Sequence, residues 1–215
     1  MAKQALDAIF ELYPSRKMSA HISGESLDSD WSQQSRAKAI IEIASFRFSD
    51  AKSLAKAKAA DKKASKRQGD DDDEEEPVGG EVSIGKKTGD VEQDYRFQIT
   101  KQIEKATPAL AQAYFSNSFK PKRHEYNSFD EAKISFRKLG AHRKHATPFF
   151  TVTFRGVYVV GFELETQGVE PPTETIDFCF QTCEMSYREQ ARDGKLGTAK
   201  VKGWNFVAQK ERQSH

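Results

Sequence analysis

Cysteine is nearly missing from the sequence: Cys179 and Cys183 are the only two in 215 residues. Both stand in the run TIDFCFQTCEMSY, which reads as one strand with the two thiols on a shared face, ~13 Å apart at ~3.3 Å per residue. A disulfide needs Cα atoms within ~7 Å, so they are expected to remain inert, packed thiols. Nothing at suitable spacing adds the further ligands of a metal site. No apolar run approaches the ~20 residues of a membrane helix, and residues 1–20 lack the basic start and long apolar centre of a secretory signal. The expectation is a chain made soluble in the cytoplasm, which leaves, if it does, by a route that reads no cleavable signal.

Catalytic patterns are also lacking. There is no nucleophile elbow, no phosphate-cradling glycine loop and no HExxH. The segment GKKTGD at 85–90 has neither the glycine loop nor the apolar strand that would precede a phosphate site, and reads as a turn. His142 and His145 have the spacing of two ligands, but Arg143 and Lys144 between them oppose a cation. No enzyme, cofactor or metal is expected. Neither sign of charge dominates, since 34 basic residues face 32 acidic ones, so no field over the whole molecule argues for nucleic acid or an anionic membrane.

What the sequence does have is strand periodicity interrupted once by a helix. Residues 95–103 alternate, with Tyr95, Phe97, Ile99, Lys101 and Ile103 on one face. Thr107 then reads as a helix cap and Pro108 as the first helical residue. The helix is expected to run to about 119, with Leu110, Ala111, Tyr114, Phe115 and Ser118 as a stripe that packs on a sheet. Further strands are expected at 7–13, stopped by Pro14, and at 36–48 with an irregularity. Others fall at 131–139, at 149–165 with a bend at Gly156, at 173–189 and at 199–209. About eight strands and one helix make a mainly β fold, a barrel or sandwich with its helix against one side or one end. Strands 149–165 and 173–189 carry apolar residues on both faces, so either the barrel is thick enough to bury both or the outer face meets another subunit.

Apolar residues, 37% of the chain, are scarce between 50 and 92. Here Lys52, Lys56, Lys58, Lys62, Lys63, Lys66 and Arg67 form a basic block. It is followed by the unbroken acids Asp70, Asp71, Asp72, Asp73, Glu74, Glu75 and Glu76. Too little apolar surface is available to offset ordering entropy, so residues 50–92 are expected to extend from a single domain spanning 1–215. Without aromatics, and with acids competing for its lysines, the block suits a solvated or subunit-bridging loop better than nucleic acid.

Several segments together carry a family resemblance: GES at 24–26, AIIEIASFRF at 39–48, ITKQIEKATPALAQA at 99–113, ISFRKLG at 134–140, QARDGKLG at 190–197 and KGWNF at 202–206. The chain resembles the haemolysin-coregulated proteins, Hcp, the tube subunits of type VI secretion systems. The resemblance implies a β-barrel of two sheets with one helix that assembles as a homo-hexameric ring. Such rings stack into a tube inside a contractile sheath, with a spike protein at the tip and effectors carried in the lumen. It also implies secretion through that apparatus, without insertion in a membrane. A tube protein of a phage-tail-like injection particle is the near alternative, and a free ring acting as an effector-binding module is another. The sequence departs from the family at 50–92, where members carry an extended loop that reaches the neighbouring ring. Here that stretch is longer and more charged, and it is the candidate ring-stacking loop.

Overall fold

The computed structural model describes residues 6–15, 22–26, 31, 35–37, 39–50, 95–118, 128–138, 147–166, 171–191 and 195–212. Among them are ten strands and one helix of more than a single turn. In chain order these are β1 (Leu6–Pro14), β2 (Ala39–Glu42), β3 (Ser45–Asp50), β4 (Tyr95–Gln102), α1 (Thr107–Ser118) and β5 (Ser128–Lys138). Then come β6 (Phe150–Glu165), β7 (Thr173–Cys179), β8 (Thr182–Tyr187), β9 (Lys200–Asn205) and β10 (Lys210–Arg212). The fold is mainly β, and every ladder is antiparallel.

The sixteen-residue β6 organises the sheets. Its first half pairs with β5 on one edge and β8 on the other, while its second half pairs with β7. One sheet therefore runs β10-β9-β8-β6-β5-β1-β2, and β7, β4 and β3 branch from β6 as a second. At the opposite corner β2 passes into β3 through Ile43 and Ala44. Their N–H groups donate to Ala8 O on β1 at 3.2 Å and to Thr100 O on β4 at 2.8 Å. The two sheets are thus joined there by the chain itself, and among the described residues the ladders do not close into an unbroken barrel.

Gly156 makes the bend in β6. Its φ of 63° lies in the left-handed region that glycine enters without penalty, and a Cβ there would fall 2.6 Å from the Gln181 side chain. Gln181 belongs to the corresponding interruption on the neighbouring strand. The stretch 173–189, expected as one long strand, is two, because the chain leaves the ladder at Phe180 and Gln181. That break shifts the alternation by one residue. Cys183 faces the core opposite Phe154, whereas Cys179 follows core-facing Phe178 and points the other way, so the cysteines do not share a face.

A cluster of phenylalanine rings lies at the centre of the core between the sheets. The Phe97 ring stacks on Phe154 at 4.1 Å and on Phe178 at 4.7 Å, and Phe10, Phe46 and Phe180 close around it. A buried phenylalanine contributes about 1.5–3 kcal/mol relative to its exposed form, so this cluster is a substantial part of the packing energy.

Candidate assembly site

The alternation of β4 that turns Phe97 and Ile99 into the core carries Lys101 with them. A lysine buried in this way needs partners. Its register neighbour on β7 is Glu174, and Nζ lies 2.5 Å from Glu174 Oε1, both side chains fully buried. Lys101 also meets Glu104 Oε1 at 3.2 Å and donates to Gln102 O at 3.1 Å and to Thr107 Oγ1 at 3.2 Å. Thr107 was expected to cap the helix by accepting from its first turn. Its hydroxyl accepts instead from the Glu104 N–H, at 3.0 Å, and from Lys101. The first i to i−4 bond runs from Leu110 N–H to Ala106 O, so Ala106 is the half-in residue and Thr107 the first helical one. A buried ion cluster therefore pins the start of α1 to the end of β4 and to β7.

The cluster sets which face of α1 is covered. Ala109, Leu110, Ala113 and Asn117 are buried, and Asn117 Nδ2 donates to Val159 O on β6 at 3.2 Å. Of the residues expected to pack, Leu110 is fully buried and Tyr114 is half-buried, its ring stacked on Phe162. Phe115 departs from the expected stripe and is exposed, as is Ser118 at its end. The reason is side-chain size: the two alanines let the helix approach β6 closely enough for Asn117 to reach a carbonyl. Phe115, about 200° around from Ala113 at 100° per residue, is thereby turned outward. The outer side of α1 is Pro108, Gln112, Phe115 and Ser118, and the helix carries no charged residue at all.

A second uncovered surface lies where β8, β9 and β10 run beyond the core. Trp204 stands opposite Cys183, and Tyr187 opposite Lys200, and both aromatic rings are exposed. The turn after β9 is held by Asn205 Oδ1, which accepts from the Ala208 N–H at 2.9 Å, and it places Val207 in solvent. Across β9 and β10 Lys202 pairs with Glu211 at 2.7 Å.

The described residues hold two further polar features. A hollow of about 420 Å³ is lined by Glu25, Ser26, Glu42, Gln102, Ile103 and Glu104. The Glu25 N–H donates to Glu104 Oε2 at 2.8 Å, which ties the GES segment to the helix junction. On the outer face of β1 and β5, Glu11 pairs with Lys133 at 2.8 Å and accepts hydrogen bonds from Tyr13 and Ser35, and Arg137 lies 5.5 Å from the Trp31 ring. Burial raises the Tyr13 phenol. At Lys133 burial acts downward, but the hydrogen bond and charge of Glu11 outweigh it and the ammonium is raised. Burial, with Glu184 adding to it, pushes the Cys183 thiol up to about 12, so it is no nucleophile at neutral pH.

The candidate stacking residues of 52–76 lie outside the described residues, as do His142 and His145. Among the described residues no three His, Cys, Asp or Glu side chains are grouped as metal ligands, and no helix is long and apolar enough to cross a membrane. Glu174 and Asn117 escaped the sequence reading. The signal for the first was Lys101 itself, a cation on the apolar face of a strand.

These surfaces sit on a fold found in type VI secretion. The family model described as "Type VI secretion system effector, Hcp" matches residues 75–187, more than half of the chain, which therefore belongs to the Hcp family. It is a type VI secretion protein of the tube- and effector-associated kind. No curated protein sequence matches it. Among solved structures, a type six secretion system protein superimposes with a TM-score of 0.59 at 21% identity, covering 97% of this chain and 100% of that one. Hcp1 from Salmonella typhimurium gives 0.56 at 18% identity, with 97% and 99% covered. Hcp2 from the same organism gives 0.51 at 16%, with 95% and 99% covered. At these identities the likeness is one of fold.

Proposed function

We propose that the chain is the repeating subunit of a type VI inner tube: copies close into a six-membered ring, rings stack inside a contractile sheath, and effectors travel with them beneath a spike. Membership of the Hcp family supports this reading. The single structural observation behind it is that a well-packed β core leaves apolar side chains uncovered at α1 and at the β9–β10 hairpin. Side chains left exposed in this way are available to meet another copy of the chain. The role is structural, as in the family, and the buried polar groups among the described residues cross-brace strands and helix. The charged blocks at 52–67 and 70–76 are assigned to ring-to-ring association, on the strength of their opposite charge runs and low apolar content.

Negative-stain microscopy and sedimentation of the full chain test the reading. Rings, or stacks of rings at high concentration, are expected. A monomer at tens of micromolar would overturn it.

A further inference from the structure

The sheet that runs from β10 to β2 ends on two edges of different character. β10, at one end, is Lys210, Glu211 and Arg212, and an edge so short and so charged discourages another strand from adding to it. β2, at the other end, is Ala39, Ile40, Ile41 and Glu42, and its composition gives it little such protection. Residues 22–26 lie along it instead. The Ser26 N–H donates to Ile40 O at 3.2 Å, and the Gly24 backbone is so near that a Cβ there would fall 2.1 Å from Ile40 O and 2.7 Å from Ile40 N. Only glycine fits at that distance. At one end of the segment Ile22 is buried in the core, and at the other the Ser26 hydroxyl donates to Glu42 Oε1 at 3.2 Å.

The same segment is fastened to the start of α1. The Glu25 N–H donates to Glu104 Oε2 at 2.8 Å, while the other oxygen of that carboxylate meets the buried Lys101 ammonium at 3.2 Å. Glu104 is itself fixed by Thr107: its N–H donates to Thr107 Oγ1 at 3.0 Å, and its carbonyl accepts from the Thr107 N–H at 2.9 Å. A hydrogen bond to an ionised carboxylate that is largely shielded from water is stronger than one between neutral groups. The ion pair of Lys105 with Glu25, at 3.7 Å and exposed on both sides, adds little. One carboxylate therefore joins the segment at β2 to the first turn of α1, and a shift of either draws it away from the other.

We infer that residues 22–26 are a latched strap: they close the free edge of β2 to strand addition, and Glu104 is the latch through which the strap and the start of α1 open as one unit. Opening bares the Ile40 backbone and removes the wall of the hollow that Glu25 and Ser26 form. An extended chain then finds the unpaired backbone groups that a sheet edge offers. Contiguous segments held by shared contacts open cooperatively, at a lower cost than global unfolding. The device belongs to the single subunit and stands apart from the tube reading.

Amide hydrogen exchange of the full-length chain, resolved to single residues, tests it with Glu104→Ala, which removes the latch, and Gly24→Ala, whose Cβ lifts the strap from Ile40. Glu104→Ala should speed exchange at Ser26 by about tenfold or more although its acceptor, Ile40 O, is untouched, and Gly24→Ala should do the same at Leu110 in the first turn of α1. The amides of the β5–β6 ladder should accelerate less than either. Held at about 100 μM, both variants should give several-fold more thioflavin T fluorescence than the wild type, as bared edges pair. A variant that does not fold is replaced, with the same outcomes required, by Glu104→Gln, whose single carbonyl oxygen cannot serve both partners, or by Ser26→Pro, which deletes the N–H that reaches Ile40. Wild-type exchange at Ser26 in the Glu104 variant would overturn the latch, and wild-type exchange at Leu110 in the strap variant would overturn the coupling. Unchanged fluorescence would overturn the guarding of the edge. Equal acceleration at every amide would mean that the chain opens only as a whole, and would overturn the strap as a unit.

Discussion

Lys101 Nζ and Glu174 Oε1 lie 2.5 Å apart across β4 and β7, with both side chains sealed from solvent beneath the first turn of α1. Isolating either charge there costs more than the pair contributes, because desolvation of the survivor is uncompensated. Lys101→Met is expected to destabilise the chain by about 3–5 kcal/mol, and Lys101→Met with Glu174→Leu by clearly less. Chemical denaturation of the three chains measures this. Equal losses in the single and double variants would show that the ammonium acts mainly through Glu104 and Thr107.

The covered side of α1 yields a graded expectation. Leu110→Ala empties a fully buried site and should cost about 2–5 kcal/mol, while Thr107→Ala removes one hydroxyl that braces Glu104 and Lys101 and should cost about 1 kcal/mol. Urea unfolding midpoints should rank the two in that order.

Gly156→Ala forces a side chain into φ 63° and against Gln181, so a loss of about 1–3 kcal/mol is expected. Adding Gln181→Ala should relieve only the clash. Full recovery in the double variant would mean that backbone strain contributes nothing.

Alkaline pH should weaken the fold. The Cys183 thiol, pushed from 9.0 up to about 12 chiefly by burial, the raised Tyr13 phenol and the raised Lys133 ammonium all hold their protons more tightly when folded. Groups raised in this way stabilise fully below their unfolded values. That contribution is lost as pH climbs from about 9 toward 12. The thermal midpoint should therefore fall across that window, and less steeply for Cys183→Ala. A midpoint that is flat or rises with pH contradicts the assignment.

On the tube reading, deleting residues 51–76 should preserve rings and change their stacking. Raising salt from about 0.05 to 0.5 M, which shortens the screening length from roughly 14 to 4 Å, should act in the same direction as the deletion. Loss of rings on deletion, or stacking indifferent to both, would assign the segment another role.

By itself the sequence determined what local sterics and alternation control. Strand period 2 placed Phe97, Ile99 and even Lys101 on one face of β4, Gly156 marked the bend in β6, and the junction before Pro108 located the helix to within a residue or so. The same letters placed Leu110 in the core and carried the family resemblance. Only the tertiary structure decided which partner answered Lys101, because Glu174 is far along the chain on β7 and reaches it through register. The break at Phe180 and Gln181 was equally non-local. It follows the bend of the neighbouring strand at Gly156, and it reversed the facing of the cysteines. Phe115 shows the same limit. Two stripes of α1 can each offer apolar side chains to a sheet, and the choice between them fell to the alanines and Asn117, whose small size and carbonyl contact favour close approach to β6 over burial of one more ring.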